Sequence, residues 1–200
     1  MRALLPELRR RPDILRFLLA HMLYADGLAT LFAFGGVSAA GTCRMPLPQV
    51  AAFGVLLNVT AGLGAFAFGW VDDWIGSRRT VLLTLGGLTA AGLVAVLAQS
   101  RGVLLVSGAI IGLFVGPVQA ASRSLMARLS PPERQTEFFG LFALSGRATT
   151  FAGPALVALL TGTTGSQRLG MGVIIVLCLA GLGLLTGVRE PVSPPGGQEV

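Results

Sequence analysis

Residues 80–126 read TVLLTLGGLTAAGLVAVLAQ, then SRG, then VLLVSGAIIGLFVGPVQAASRSLM. The first run, 80–99, holds no charged residue, and the second, 103–126, holds only Arg123. At about 1.5 Å per residue each is long enough to cross a hydrocarbon core of about 30 Å. Between them Ser100-Arg101-Gly102 supplies a short polar turn. Two such runs joined so tightly predict an antiparallel pair of membrane helices. Working outward, similar apolar runs fall near 14–40, 48–71, 137–161 and 168–188, which makes six spans. Gly, Pro and charged residues mark the other connections: Thr42 to Pro48, Asp72 to Arg79, Ser130 to Arg134, and Gly162 to Arg168.

Composition points the same way. The chain is 53% hydrophobic and 12% charged, whereas soluble chains carry about 25% charged residues. There is too little charge to coat a globule in water, so the expected class is an all-α integral membrane protein. Its parts are a basic segment over 1–13, a six-helix domain over 14–188 and a flexible tail over 189–200. The first apolar stretch is longer than the core of a signal peptide and contains Asp26, so it reads as a membrane helix. The tail, rich in Pro and Gly from Glu190 onward, has nothing to bury.

The net charge of +6 rests on Arg alone, since the chain has no Lys. Arg-only usage suggests a GC-rich bacterial genome, hence a bacterial cytoplasmic (inner) membrane. The arginines sit singly or in pairs between apolar runs, the pattern of membrane topology rather than of a nucleic-acid surface. Counted over alternate connections, eleven fall on one side and three (Arg44, Arg101, Arg168) on the other. That bias places both termini in the cytoplasm.

Ionisable groups inside spans cost about 2.5–3.5 kcal/mol on insertion scales, and each is therefore a functional candidate. Asp26 lies roughly 18 Å along the first span from Ile14, and Arg147 roughly 15 Å into the fifth from Glu137. Similar depth allows a mutual ion pair if those helices adjoin. The alternative is separate partners: Thr30 one turn on for Asp26, helix-end carbonyls or water for Arg147. Asn58 and Gln119 are weaker candidates for a substrate or proton pathway, because interhelical amide bonds are common structural features. His21 lies about 140° around the helix from Asp26 and reads as a satisfied interfacial histidine. Gly108, Gly112, Gly116, Ala120 and Ser124 recur every fourth position, a stripe that admits a close helix neighbour. Gly116-Pro117 and Gly153-Pro154 lie inside spans and predict kinks. No metal, cofactor or enzyme activity is expected: Cys43 and Cys178 lack ligand spacing, and neither HExxH nor a Ser/His/Asp set is present.

The connection Gly69-Trp70-Val71-Asp72-Asp73-Trp74-Ile75-Gly76-Ser77-Arg78-Arg79 resembles the G-x-x-x-D-R-x-G-R-R signature of the major facilitator superfamily. Gly69, Asp73, Gly76, Arg78 and Arg79 match, while Trp74 and Ser77 replace two of its arginines, as in the degenerate copy of a second half. Phe17 to Gly27, Ala121 to Leu129, Glu137 to Gly140, Ser145 to Arg147, Gly153-Pro154 and Ser166 to Arg168 extend the likeness. Over about Phe17 to Val188 the chain resembles the carboxy-terminal half of the bacterial carriers related to yeast vacuolar, autophagy-related amino-acid effluxers.

The resemblance implies a six-helix half, built as 3+3 inverted repeats, of a twelve-helix permease working by alternating access. It implies Asp73 facing the amino-terminal end of a neighbouring helix, such as the fifth near Glu137, with Arg78 and Arg79 holding the loop at lipid headgroups. The implied partners are the bilayer, a small solute such as an amino acid, and a second six-helix half, either another copy or a separate chain. Against this stands a non-transporting membrane subunit or a truncated, vestigial product. Asp26 is the candidate proton carrier.

Overall fold

The structure, a computed structural model, describes residues 8, 11–43, 45–98 and 100–190. The early arginines Arg2, Arg9 and Arg10, the loop Arg44 and the tail beyond Glu190 lie outside the described residues. The described chain is helical throughout, and six of its segments are long and apolar enough to cross a membrane. It is an all-α integral membrane protein.

Helix α1 spans Pro12–Cys43 and opens with Pro12 and Asp13, residues suited to a first turn. Helix α2, Leu47–Ile75, carries Pro48 in its first turn and stops at Gly76, whose φ of +87° ends the helix. Helix α3 spans Ser77–Leu97. Helix α4, Arg101–Leu129, is capped by the Ser100 hydroxyl, which accepts from Val103 N at 3.3 Å. It runs unbroken through Pro117. A 3₁₀ turn at Pro132–Arg134 leads into α5, Gln135–Ala148. Helix α6, Ala152–Thr164, ends on a left-handed Gly165, and α7 spans Gln167–Thr186.

The fifth span therefore differs from the expected continuous helix. It is interrupted at Thr149-Thr150-Phe151, so that α5 and α6 are two half-helices of one crossing. Gly153-Pro154 sits in the first turn of α6 rather than at a mid-helix kink, where the missing N–H of proline costs nothing.

Two sets of bonds fix the topology. At one end of the bundle Arg189 N donates to Asp13 Oδ1 at 3.1 Å and Arg16 donates to Gly187 O at 3.1 Å, so the start of α1 adjoins the end of α7. At the other end Arg168 donates to Ala98 O at 3.1 Å, tying the start of α7 to the end of α3. Phe17, Tyr24, Leu85, Leu125, Phe138 and Leu185 fill the core between them. The outer faces are apolar too: Trp70, Trp74, Phe66 and Val55 project from α2, Trp74 with 88% exposure.

The small-residue stripe accounts for how α2 seats on α4. A Cβ on Gly112 would meet the Thr60 hydroxyl and lie 2.7 Å from Leu57 O, and one on Gly116 would meet Ala61 O. Reciprocally, a Cβ on Gly64 would run into Leu113 O. Backbones this close leave no room for a side chain at Gly64, Gly112 or Gly116.

Candidate functional site

The break in the fifth span is organised by α1. Four N–H groups at the start of a helix have no partner within it. In α6 Ala152 N finds Thr149 O at 2.8 Å, Pro154 has none to satisfy, and Ala155 N returns to Phe151 O at 3.0 Å. Gly153 N donates to Asp26 Oδ2 at 2.8 Å. Asp26, 2% exposed, thus caps a half-helix belonging to another element. A carboxylate there is favoured by the partial positive charge of a helix start. Thr30 donates to the Asp26 main-chain carbonyl at 2.7 Å, and a Cβ on Gly153 would collide with Thr30 Oγ1. A second stitch comes from Thr149, whose hydroxyl donates to Met22 O at 3.1 Å. Replacing Thr149 with Val should cost about 0.5–1.5 kcal/mol in detergent unfolding, the net value of one such bond, without altering helix content.

Helices α1 and α5 do adjoin. Yet among the described residues Asp26 and Arg147 form no ion pair; the carboxylate turns to α6, and Arg147 is exposed. The reason is local: α5 ends one residue beyond Arg147, and the freed N–H of Gly153 takes the carboxylate. Asp26 Oδ1, buried, has no hydrogen-bond partner among the described residues.

Arg147 opens instead onto a groove of about 540 Å³ between α1, α4 and α5. Arg123, Gln119, His21, Phe139 and Phe142 line it with Arg147. Ser145 donates to Phe142 O at 2.8 Å, which leaves His21 Nδ1 to donate to Ser145 Oγ at 2.8 Å. The His21 ring stacks on Phe142 with centroids 4.1 Å apart. Ser122 likewise donates to Val118 O, so Tyr24 donates to Ser122 Oγ at 2.7 Å. Sequence reasoning missed the Tyr24–Ser122 pair; its one signal was a single tyrosine within an apolar run. Asn58 is elsewhere, bonded to Gly54 O at 2.8 Å on α2 and lining a smaller apolar cavity of about 190 Å³.

The signature loop lies where α1 begins and α7 ends. Glu190 accepts from Ser77 N at 3.2 Å and from Arg78 N at 2.9 Å, and pairs with Arg128 at 3.1 Å. Arg78 donates to Thr186 O at 2.7 Å, closing the end of α7. Glu190 is thus a built part of the fold and not the start of a free tail. Helix α3 needs it because the residue before Ser77 is Gly76, which has no side chain to cap with. The expected contact of Asp73 is not found: α2 has no packing contact with α5, and Asp73 is exposed. Asp72 is the buried acid. Gly69 and Arg79 stay at the exposed surface of the same end.

Six crossings, with a broken fifth and a groove holding Arg123 and Arg147, form a half-bundle of the major facilitator fold, as the structural likeness bears out. A crystal structure of a peptide transporter superposes on it with a TM-score of 0.72 at 20% sequence identity, covering 88% of this chain and 37% of that one. Over residues 2–192 the chain matches the family described as vacuole effluxer Atg22 like, and it belongs to that family. Autophagy-related protein 22 of Cryptococcus neoformans is 26% identical over 209 residues, covering 94% of this chain and 38% of that protein. The protein of the same name from Coccidioides immitis is 28% identical over 188 residues, 86% of this chain and 31% of its own length. The chain spans less than two-fifths of these relatives.

Proposed function

We propose that the chain is one six-helix half of a secondary transporter, moving a small solute by alternating access. The observation that carries this reading is the groove between α1, α4 and α5, where Arg147, inside the fifth span, Gln119 and His21 stand among apolar residues on a wall that needs a second wall. A second six-helix half, another copy or a separate chain, would supply it, since the halves of such carriers are related by an axis along the membrane normal. An amino acid is the solute the family resemblance suggests. Asp26 is the proton carrier in this reading, with Oδ2 holding α6 and Oδ1 available to the proton. Both termini are cytoplasmic by the arginine bias. Arg-only composition favours a bacterial inner membrane, whereas the relatives named above are fungal.

The test is the mass of the purified chain in detergent, alone and co-expressed with any six-helix partner encoded beside it, followed by uptake into proteoliposomes. A stable dimer or one-to-one complex that accumulates solute is the expected result. A second reading is a non-transporting membrane subunit. A lone monomer that aggregates and moves nothing would favour it.

A further inference from the structure

We propose that the apolar cavity of about 190 Å³ beside Asn58 is a lipid site, which takes one acyl chain of a membrane phospholipid with its phosphate on Arg168. This does not depend on the transport reading, and the walls are complete within the chain: α1, α2, α3, α4 and α7 each contribute. Along α2 the lining runs from Val50 to Asn58, and along α4 from Leu104 to Val115. The space therefore reaches roughly 12–16 Å inward from the end of the bundle where α7 begins.

Glycine acts differently here than on the α2–α4 seam, where an added Cβ would strike the opposite helix. Gly35 on α1, Gly54 on α2 and Gly92 on α3 all line the cavity, yet a Cβ on any of them would have nothing within 4 Å. No close approach requires these glycines, and glycine costs a helix interior stability relative to alanine. Their shared effect is to hold open one space between three helices. A cavity of about 150 Å³ lined by Leu, Ile and Phe stays dry and admits benzene. This one is larger, and Leu57, Ile111, Met171 and Ile174 line it, so it suits a stretch of hydrocarbon chain. Among the described lining residues only Arg168 is charged, and it is exposed at the start of α7. Its bond to Ala98 O at 3.1 Å pins the guanidinium there and uses one of five donors. The planar fork grips a phosphate through paired bonds, at the level where a lipid carries one. An apolar slot ending on a guanidinium matches the chain and phosphate of a phospholipid, which the surrounding bilayer supplies.

Native mass spectrometry of the full chain in detergent, titrated with dioleoylphosphatidylglycerol or with dioleoylglycerol, tests the site. One phospholipid per chain should be retained at least about tenfold more tightly than the phosphate-free lipid, the usual worth of a hydrogen bond to a charged group. Gly54→Leu and Gly92→Leu, which fill the space, should each weaken retention about tenfold or more. Their unfolding midpoints should hold or rise, since a filled cavity stabilises the empty chain. Arg168→Gln should weaken retention about tenfold, and Arg168→Lys, which keeps the charge, should recover part of the loss. Undiminished retention in both Leu variants would place the lipid on the outer surface and overturn the proposal. Equal retention of the two lipids, or an unaltered Arg168→Gln, would overturn the phosphate contact and with it the site as proposed. A chain that retains no phospholipid would overturn it outright, and each of these results leaves the transport reading standing.

Discussion

Asp26→Ala is expected to destabilise the folded chain by about 1–3 kcal/mol in a reversible detergent unfolding titration, while Asp26→Asn costs less than about 1 kcal/mol. The difference follows from what the carboxylate holds. Asp26 Oδ2 accepts from Gly153 N at 2.8 Å, and both groups are buried. Removing the acceptor strands an N–H at the start of α6, away from water, and opens a space beside Thr30 and Gly153. The amide of Asn retains an oxygen in the same place and keeps the cap. Function should invert the order of severity between charge and shape. If Asp26 carries the proton, Asp26→Asn abolishes pH-driven uptake although the fold survives. Coupling that persists in the Asn variant would remove Asp26 from the proton pathway and leave it a purely structural cap. Equal destabilisation by Ala and Asn would show instead that the negative charge, not the hydrogen bond, holds α6.

This pair of variants also marks where sequence reading stops. The spans were legible because burial in lipid demands continuous apolar runs, and 80–99 and 103–126 leave no other solution. The stripe through Gly108, Gly112 and Gly116 was legible as a close-packing face, though not that α2 is what packs there. The break at Thr149-Thr150-Phe151 was not legible, since Gly153-Pro154 signals only a kink. A full interruption requires partners for the freed backbone groups: Asp26, on α1, accepts from Gly153 N, Thr149 O accepts from Ala152 N within the break, and the Thr149 hydroxyl ties the break to Met22 O. Depth left an Asp26–Arg147 pair and separate partners equally open, and the choice between them falls to a helix end that depth does not reveal. Glu190 was misread for a similar reason: its neighbours in sequence are Pro-rich, but its neighbours in space are Ser77, Arg78 and Arg128.

Glu190→Ala is the second substitution with a large expected effect, a loss of about 1–2 kcal/mol in the same titration. Its carboxylate supplies the cap that Gly76 lacks and accepts from two successive backbone N–H groups at the start of α3. A Cβ on Gly76 would lie 3.1 Å from Glu190 Oε2, so the glycine both ends α2 and leaves room for the acid. The Arg128 contact is a lesser contributor. That pair is exposed enough, 32% for Arg128, that screening by solvent holds it to about 0–1 kcal/mol. Arg128→Ala should therefore cost clearly less than Glu190→Ala, and a double-mutant cycle should assign most of the loss to the cap. Glu190→Gln, which keeps one acceptor oxygen, should fall between them. A silent Glu190→Ala would mean that water caps α3 as well as the acid does, and that the signature loop is held by Arg78 on Thr186 O alone. A loss as large in Arg128→Ala would mean instead that the ion pair positions Glu190, and that the cap exists only because Arg128 directs the carboxylate toward Ser77 and Arg78.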